Sequence, residues 1–107
     1  MASHPDYVEY VVEQLRGAGS VRARKMFGEY GLFCDGTFFA VICDDQLFIK
    51  ITPQGEAAFP DLPRAPSHEG ASDSFVIEDV DDPTMALELT RITCEALRKM
   101  ASQKRRK

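Results

Sequence analysis

The sequence predicts an α+β fold, a two-layer sandwich in which an N-terminal and a C-terminal helix pack on an antiparallel meander sheet. Three observations carry this expectation. Residues 6–16 place Tyr7, Val8, Val11, Val12 and Leu15 on one face at helical spacing. Residues 21–51 are rich in β-branched and aromatic residues and contain Asp35-Gly36, a strong two-residue hairpin signal. Residues 83–102 return to helical spacing, with Met85, Leu89, Ile92, Ala96 and Met100 as the buried stripe and Thr93 and Leu97 beside it.

Each element has a local reason. In the first helix, Glu9, Glu13 and Arg16 point away from the apolar face, and Gly17 and Gly19 end it. Strands are expected at 21–27, 30–34, 37–43 and 46–51. Asp35-Gly36 turns the central hairpin because glycine accepts positive φ, and Asp44-Asp45 is a weaker turn of the same kind. Gly28 and Gly31 point to a bend, a bulge or a close backbone approach between the first two strands. Thr52-Pro53 opens a short helix to residue 59, since proline is tolerated in a first helical turn. Pro60, Pro63 and Pro66 then punctuate a loop through residue 72, and residues 74–78 resume as a strand around Phe75, Val76 and Ile77. Asp82 is the expected N-cap of the last helix, with Pro83 at its first position.

Size and charge exclude several classes. A chain of 107 residues makes one small domain able to bury a core without staples, assigned to residues 1–103. No run approaches the length of a membrane span, and the first residues have neither the basic nor the apolar region of a secretory signal. Three cysteines without CxxC or zinc-ligand spacing fit a reducing, cytoplasmic setting. The net charge is −4, but residues 104–107 are all basic, leaving a body with nine basic and seventeen acidic side chains, a net of −8. An acidic body argues against a broad DNA-binding face. The basic residues 104–107 are expected to form a disordered solubilising tail, the alternative being a short nucleic-acid arm.

The run from Arg24-Lys25-Met26-Phe27-Gly28-Glu29-Tyr30-Gly31-Leu32-Phe33-Cys34-Asp35-Gly36 through Phe38-Phe39-Ala40-Val41 to Asp45-Gln46-Leu47-Phe48-Ile49-Lys50 resembles the signature of the TfoX N-terminal domain family. The likeness is strongest from Arg24 to Lys50, with Glu29 standing where many members carry a second glycine. The resemblance implies an antiparallel sheet with helices packed on it, similar to secretion-chaperone-like folds, in a bacterial regulatory or interaction module. It supplies no catalytic residues. The full-length competence regulators of that family continue into a helical C-terminal domain, and the present sequence ends where that domain would begin.

The sheet poses a physical question of its own. An Asp35-Gly36 turn sets Phe33 opposite Phe38 and Leu32 opposite Phe39. An Asp44-Asp45 turn sets Ile42 opposite Leu47, Ala40 opposite Ile49 and Phe39 opposite Lys50. Alternation then puts Phe33, Phe38, Ala40, Ile42, Leu47, Ile49 and Ile51 on one face. The other receives Tyr30, Leu32, Phe39, Val41, Cys43 and Phe48, with Lys50 at its border. Both faces are largely apolar. Either helices and the proline-rich loop cover both, or the second face meets a protein partner or another copy of the chain. The expected partner or self-association residues are Leu32, Phe39, Val41 and Phe48. Arg22 and Arg24 stand beside them on one strand face, with Lys25 pointing the other way; the three form a candidate contact for an anion or an acidic partner, or a charged guard on an edge strand.

Reactive chemistry finds less support. A nucleophilic cysteine needs a nearby base, yet the histidines are His4, near the start, and His68, in the long loop. Cys34, Cys43 and Cys94 are expected to pack, with Cys94 on the flank of the last helix. The pairs and clusters of Asp35, Asp44, Asp45, Asp79, Asp81 and Asp82 lack calcium-loop spacing, and no phosphate-loop motif is present. No cofactor, metal or small-molecule motif is evident. The expected function is a non-enzymatic, cytoplasmic regulatory module acting by protein–protein contact. The alternative is a nucleic-acid-associated protein using the basic tail and the patch at residues 22–25.

Overall fold

The computed structural model describes residues 3–26, 29–68, 70–78 and 83–105. Helix α1 (Pro5–Leu15) buries Val8, Val11, Val12 and Leu15, and a 3-10 turn follows at Arg16–Ala18. Four strands come next: β1 (Val21–Met26), β2 (Glu29–Cys34), β3 (Thr37–Cys43) and β4 (Gln46–Lys50). After them lie the short helix α2 (Pro53–Ala58), the strands β5 (Arg64–Pro66) and β6 (Asp73–Ile77), and the long helix α3 (Pro83–Arg105). The strands form one antiparallel sheet in the order β1-β2-β3-β4-β6-β5. Helices α1 and α3 pack on one side of it, and their side chains share a core with Leu32, Phe39, Ala40, Ile42, Ile49 and Phe75.

The α+β architecture agrees with the sequence expectation. Both tight turns are the left-handed kind that matches strand twist: Asp35 and Gly36 have φ of 50° and 84°, and Asp44 and Asp45 have φ of 53° and 56°. Two aspartates in that region are held by neighbours. The Asp44 N–H donates to Glu29 Oε2 at 3.0 Å, and the Asp45 N–H donates to Ser3 Oγ at 2.9 Å. Glu29 Oε1 in turn accepts the Ser3 N–H at 3.0 Å, so one carboxylate ties the N-terminal segment to the β3–β4 turn.

Four expectations need correction. The predicted loop contains β5, which pairs with β6 at the sheet edge; Pro66 is tolerated there because an edge strand leaves one side unpaired. On α3 the buried line runs through Ala86, Leu89, Thr90, Thr93, Cys94 and Ala96, while Met85 and Ile92 are half-buried and Met100 is 48% exposed. The stripe is rotated from the predicted one: Leu89 and Ala96 stay in it, but Ala86, Thr90, Thr93 and Cys94 are buried in place of Met85, Ile92 and Met100. Cys94 is accordingly fully buried rather than on a flank. Finally, α3 runs to Arg105 and so takes in Lys104 and Arg105, since the segment has no helix breaker. Phe27, Gly28, Asp79, Asp81, Asp82, Arg106 and Lys107, which carried sequence expectations, lie outside the described residues.

The register brings the main revision. β2 and β3 pair Phe33 with Phe38, as expected, but then Leu32 with Ala40. Phe39 is the extra residue of a β-bulge, and both Phe39 and Ala40 enter the helix-covered core. Beyond the bulge, β3 and β4 pair as expected, with Ala40 opposite Ile49, Val41 opposite Phe48 and Ile42 opposite Leu47.

Candidate functional site: the face without helices

The bulge redistributes the aromatic residues. Leu32 and Phe39, expected on the partner face, are 0% exposed within the core beneath the helices. Phe33 and Phe38, expected in the core, lie on the opposite side. The face assignment is therefore corrected at all four positions. The physical reason is that one inserted residue reverses the side to which every preceding side chain points. Tyr30 likewise packs against the helical core, with Ile42 opposite it. Val41 and Phe48 do lie on the helix-free face, where they are cross-strand partners, and Val76 extends the row from β6.

This face has an aromatic end and a cleft end. At the aromatic end the Phe33 and Phe38 rings are 5.2 Å apart, and both side chains are half-buried. Arg22 stands opposite Phe33 across β1 and β2, and Arg24 stands opposite Gly31, so both arginines share the face. They are exposed, and among the described residues neither forms an ion pair. Lys25 pairs with Tyr30 and points to the other side. The basic group is split as strand alternation implies, and its two arginines come beside the aromatic pair.

Gly31 makes the aromatic end possible. A Cβ there would stand 2.5 Å from Met26 Sδ and 2.9 Å from Phe38 Cε1, so the bare backbone lets both side chains close over it. The expected close approach occurs at Gly31, while the bulge lies one strand pair further on.

From Gly31 and Phe38 a half-open cleft of about 700 Å³ extends toward the other end, lined by Val41, Phe48 and Lys50 of the strands and by Ser67, His68, Ala71 and Ser72 of the loop. Loop and strand residues thus border one cleft on the second face within a single chain, where Phe48 is 6% exposed. Lys50 Nζ sits 4.3 Å from the centre of the Phe38 ring, a cation–π contact joining the two ends. Burial pushes its pKa below the ordinary lysine value, and among the described residues no carboxylate pairs with it.

The thiols are poorly set for nucleophilic work. Cys43 lines the cleft, but burial raises its pKa, and the charges of Glu29 and Asp44 raise it further. No hydrogen bond joins it to His68, whose Nδ1 lies 3.0 Å from Ser67 Oγ. Cys34 and Cys94 are buried together, and the Cys94 thiol is pushed far up by burial and then by its hydrogen bond with Cys34. Among the described residues no group of three or more His, Cys, Asp or Glu side chains is placed to hold a metal ion. Of the aspartates, Asp45 meets His4 Nδ1 at 2.6 Å, and Asp35 accepts the Ser20 N–H and faces Arg98 at 3.6 Å. No described helix is long and apolar enough to cross a membrane.

Residues 13–77, which include all six strands and the whole helix-free face, match the TfoX N-terminal domain. The chain belongs to the TfoX N-terminal domain family. A protein of Spirochaeta aurantia, named as an uncharacterized 12.7 kDa protein in the trpE 5' region, is 33% identical over 98 residues. That likeness covers 91% of this chain and 85% of the spirochaete protein, so it reaches beyond the sheet of this TfoX N-terminal domain into its flanking helices. What the structure adds to the family signature is its division between two faces. Leu32, Phe39 and Ala40 serve the core, whereas Gly31, Phe33, Phe38, Val41 and Phe48 shape the open side.

Proposed function

We propose that this TfoX N-terminal domain is a non-catalytic, cytoplasmic regulatory module that binds a protein partner, or a second copy of itself, through the aromatic end of its helix-free sheet face. The observation that carries the reading is the placement of Arg22 and Arg24, both without ion pairs among the described residues, beside the half-buried Phe33–Phe38 pair. Aromatic and arginine side chains are the types that dominate binding energy at protein interfaces. A cationic pair on a body of net −8 also favours an acidic segment on the partner.

Nucleic-acid binding has less behind it. It would have to rely on two body arginines and the C-terminal basic run, against a strongly acidic remainder. Affinity capture from the native host tests the main reading, comparing the wild-type chain with a Phe33→Ser/Phe38→Ser variant and an Arg22→Glu/Arg24→Glu variant. Sedimentation of the same proteins tests self-association. A partner, or a dimer, kept by the wild type and lost by both folded variants is the expected result. Equal retention by all three would overturn the assignment of this surface. Steeply salt-dependent DNA retention, lost on removal of residues 104–107, would favour the alternative.

A further inference from the structure

The cleft end of the face has a different chemistry from the aromatic end. Its volume of about 700 Å³ falls within the roughly 300–1,000 Å³ typical of small-molecule sites. Val41 and Phe48 give it apolar surface, while Lys50 supplies a positive charge. An ammonium group in an apolar setting is costly unless an anion answers it. Glu29 and Asp73 also line the cleft, but neither pairs with Lys50: both Glu29 oxygens accept backbone N–H groups from Ser3 and Asp44. Lys50 instead rests on the Phe38 ring. Ser74 stands directly opposite Lys50 in the β4–β6 register, also lines the cleft, and makes no side-chain hydrogen bond among the described residues. An apolar cleft thus carries an ammonium and a hydroxyl from facing positions of neighbouring strands, both able to donate to an anion.

We propose that this cleft binds a small apolar monocarboxylate, with its carboxylate on Lys50 and Ser74 and its apolar body along Val41 and Phe48 beneath the loop. The Lys50 ammonium, with Ser74 opposite it and no carboxylate paired to it among the described residues, selects an anionic group; a single ammonium selects one carboxylate rather than a polyphosphate, and the apolar lining selects an aliphatic or aromatic body. The proposal goes beyond the partner-docking reading; the two share Phe38, which also lines the cleft, but the carboxylate site uses neither Arg22 nor Arg24.

The test is NMR titration of the full chain with sodium octanoate, sodium 4-phenylbutyrate and, as an uncharged control, 1-octanol. Saturable amide shifts centred on Val41, Phe48, Lys50 and Ser74 are expected with at least one carboxylate, and the stronger of the two identifies an aliphatic or an aromatic ligand. Octanol should bind about tenfold more weakly or worse, the scale of one lost charge-assisted hydrogen bond. Lys50→Met should weaken the carboxylate by a similar factor and Lys50→Arg should restore it, with circular dichroism confirming the fold. Val41→Trp, which fills the cleft but keeps the lysine, should abolish binding. No saturable shift with either carboxylate would overturn the proposal, as would equal affinity for octanoate and octanol unaffected by Lys50→Met. Arg22→Glu/Arg24→Glu should leave the titration unchanged while removing the protein partner, so the two readings fail separately.

Discussion

The rings of Phe33 and Phe38 lie 5.2 Å apart at an interplanar angle of 39°, on the side of the sheet that the helices leave free. They are there because Phe39, next in the chain, is the bulge residue and turns into the core. Two adjacent phenylalanines of one strand therefore have opposite roles.

That division sets an expectation for stability. Phe39→Ala removes a fully buried ring and should cost about 3–5 kcal/mol, whereas Phe38→Ala removes a half-buried one and should cost clearly less. Urea denaturation of the two variants measures the difference. Equal losses would place both rings in the core and exclude the bulge.

Gly31→Ala should destabilise by about 1–3 kcal/mol, as an added methyl overpacks the site between Met26 Sδ and the Phe38 ring. The sulfur is the end of a flexible side chain, so Met26→Ala should recover part of the loss. An additive double mutant would show that Met26 is not what the methyl meets.

Acid should loosen the N-terminal clamp. Burial tends to raise the Glu29 pKa, but hydrogen bonds from the Asp44 and Ser3 backbones and the Ser3 hydroxyl together hold it below its ordinary 4.5. Asp45 is held below 3.8, chiefly by the His4 N–H and then by the His4 side chain. A carboxylate with a depressed folded-state pKa stabilises the fold above its unfolded value, and the gain is lost as pH falls through the folded value. Melting temperature should therefore be flat with respect to these groups above pH 4.5 and fall below it. Glu29→Gln should flatten that fall; an unchanged acid slope would remove Glu29 from the explanation.

Thiol labelling should report the same architecture. Cys43, half-buried with a raised pKa, should react with iodoacetamide more slowly than free cysteine near neutral pH. Cys34 and Cys94 should label only on unfolding, because both are fully buried. Mass spectrometry of timed digests distinguishes the three sites, and early modification of Cys34 or Cys94 would contradict their burial.

Much of the fold is legible in the sequence. Asp35-Gly36 marked a turn because few residue pairs accept two positive φ values in succession. Val8, Val11, Val12 and Leu15 marked a buried helix face because their spacing has only one helical side. The strand β5 was not legible, since the three residues Arg64–Pro66 are too short for alternation to emerge and end in a proline. On the helix-free face, the positions of Val41, Phe48, Arg22 and Arg24 are legible from alternation; those of Leu32, Phe39, Phe33 and Phe38 are not, because the bulge turns the first two into the core and the last two out of it.

Element types, their order and both hairpin turns follow from local chemistry, which acts between residues close in the chain. Which side of the sheet each aromatic residue faces is not local. Bulged and unbulged pairings of β2 with β3 share the same turn and nearly the same ladder, and strand periodicity alone does not separate them. Packing of α1 and α3 selects the bulged one, in which Leu32, Phe39 and Ala40 together fill the core. That choice places Phe33 and Phe38 beside Arg22 and Arg24, and Lys50 over the Phe38 ring. The surface used for the functional proposals thus arises from how the opposite side packs.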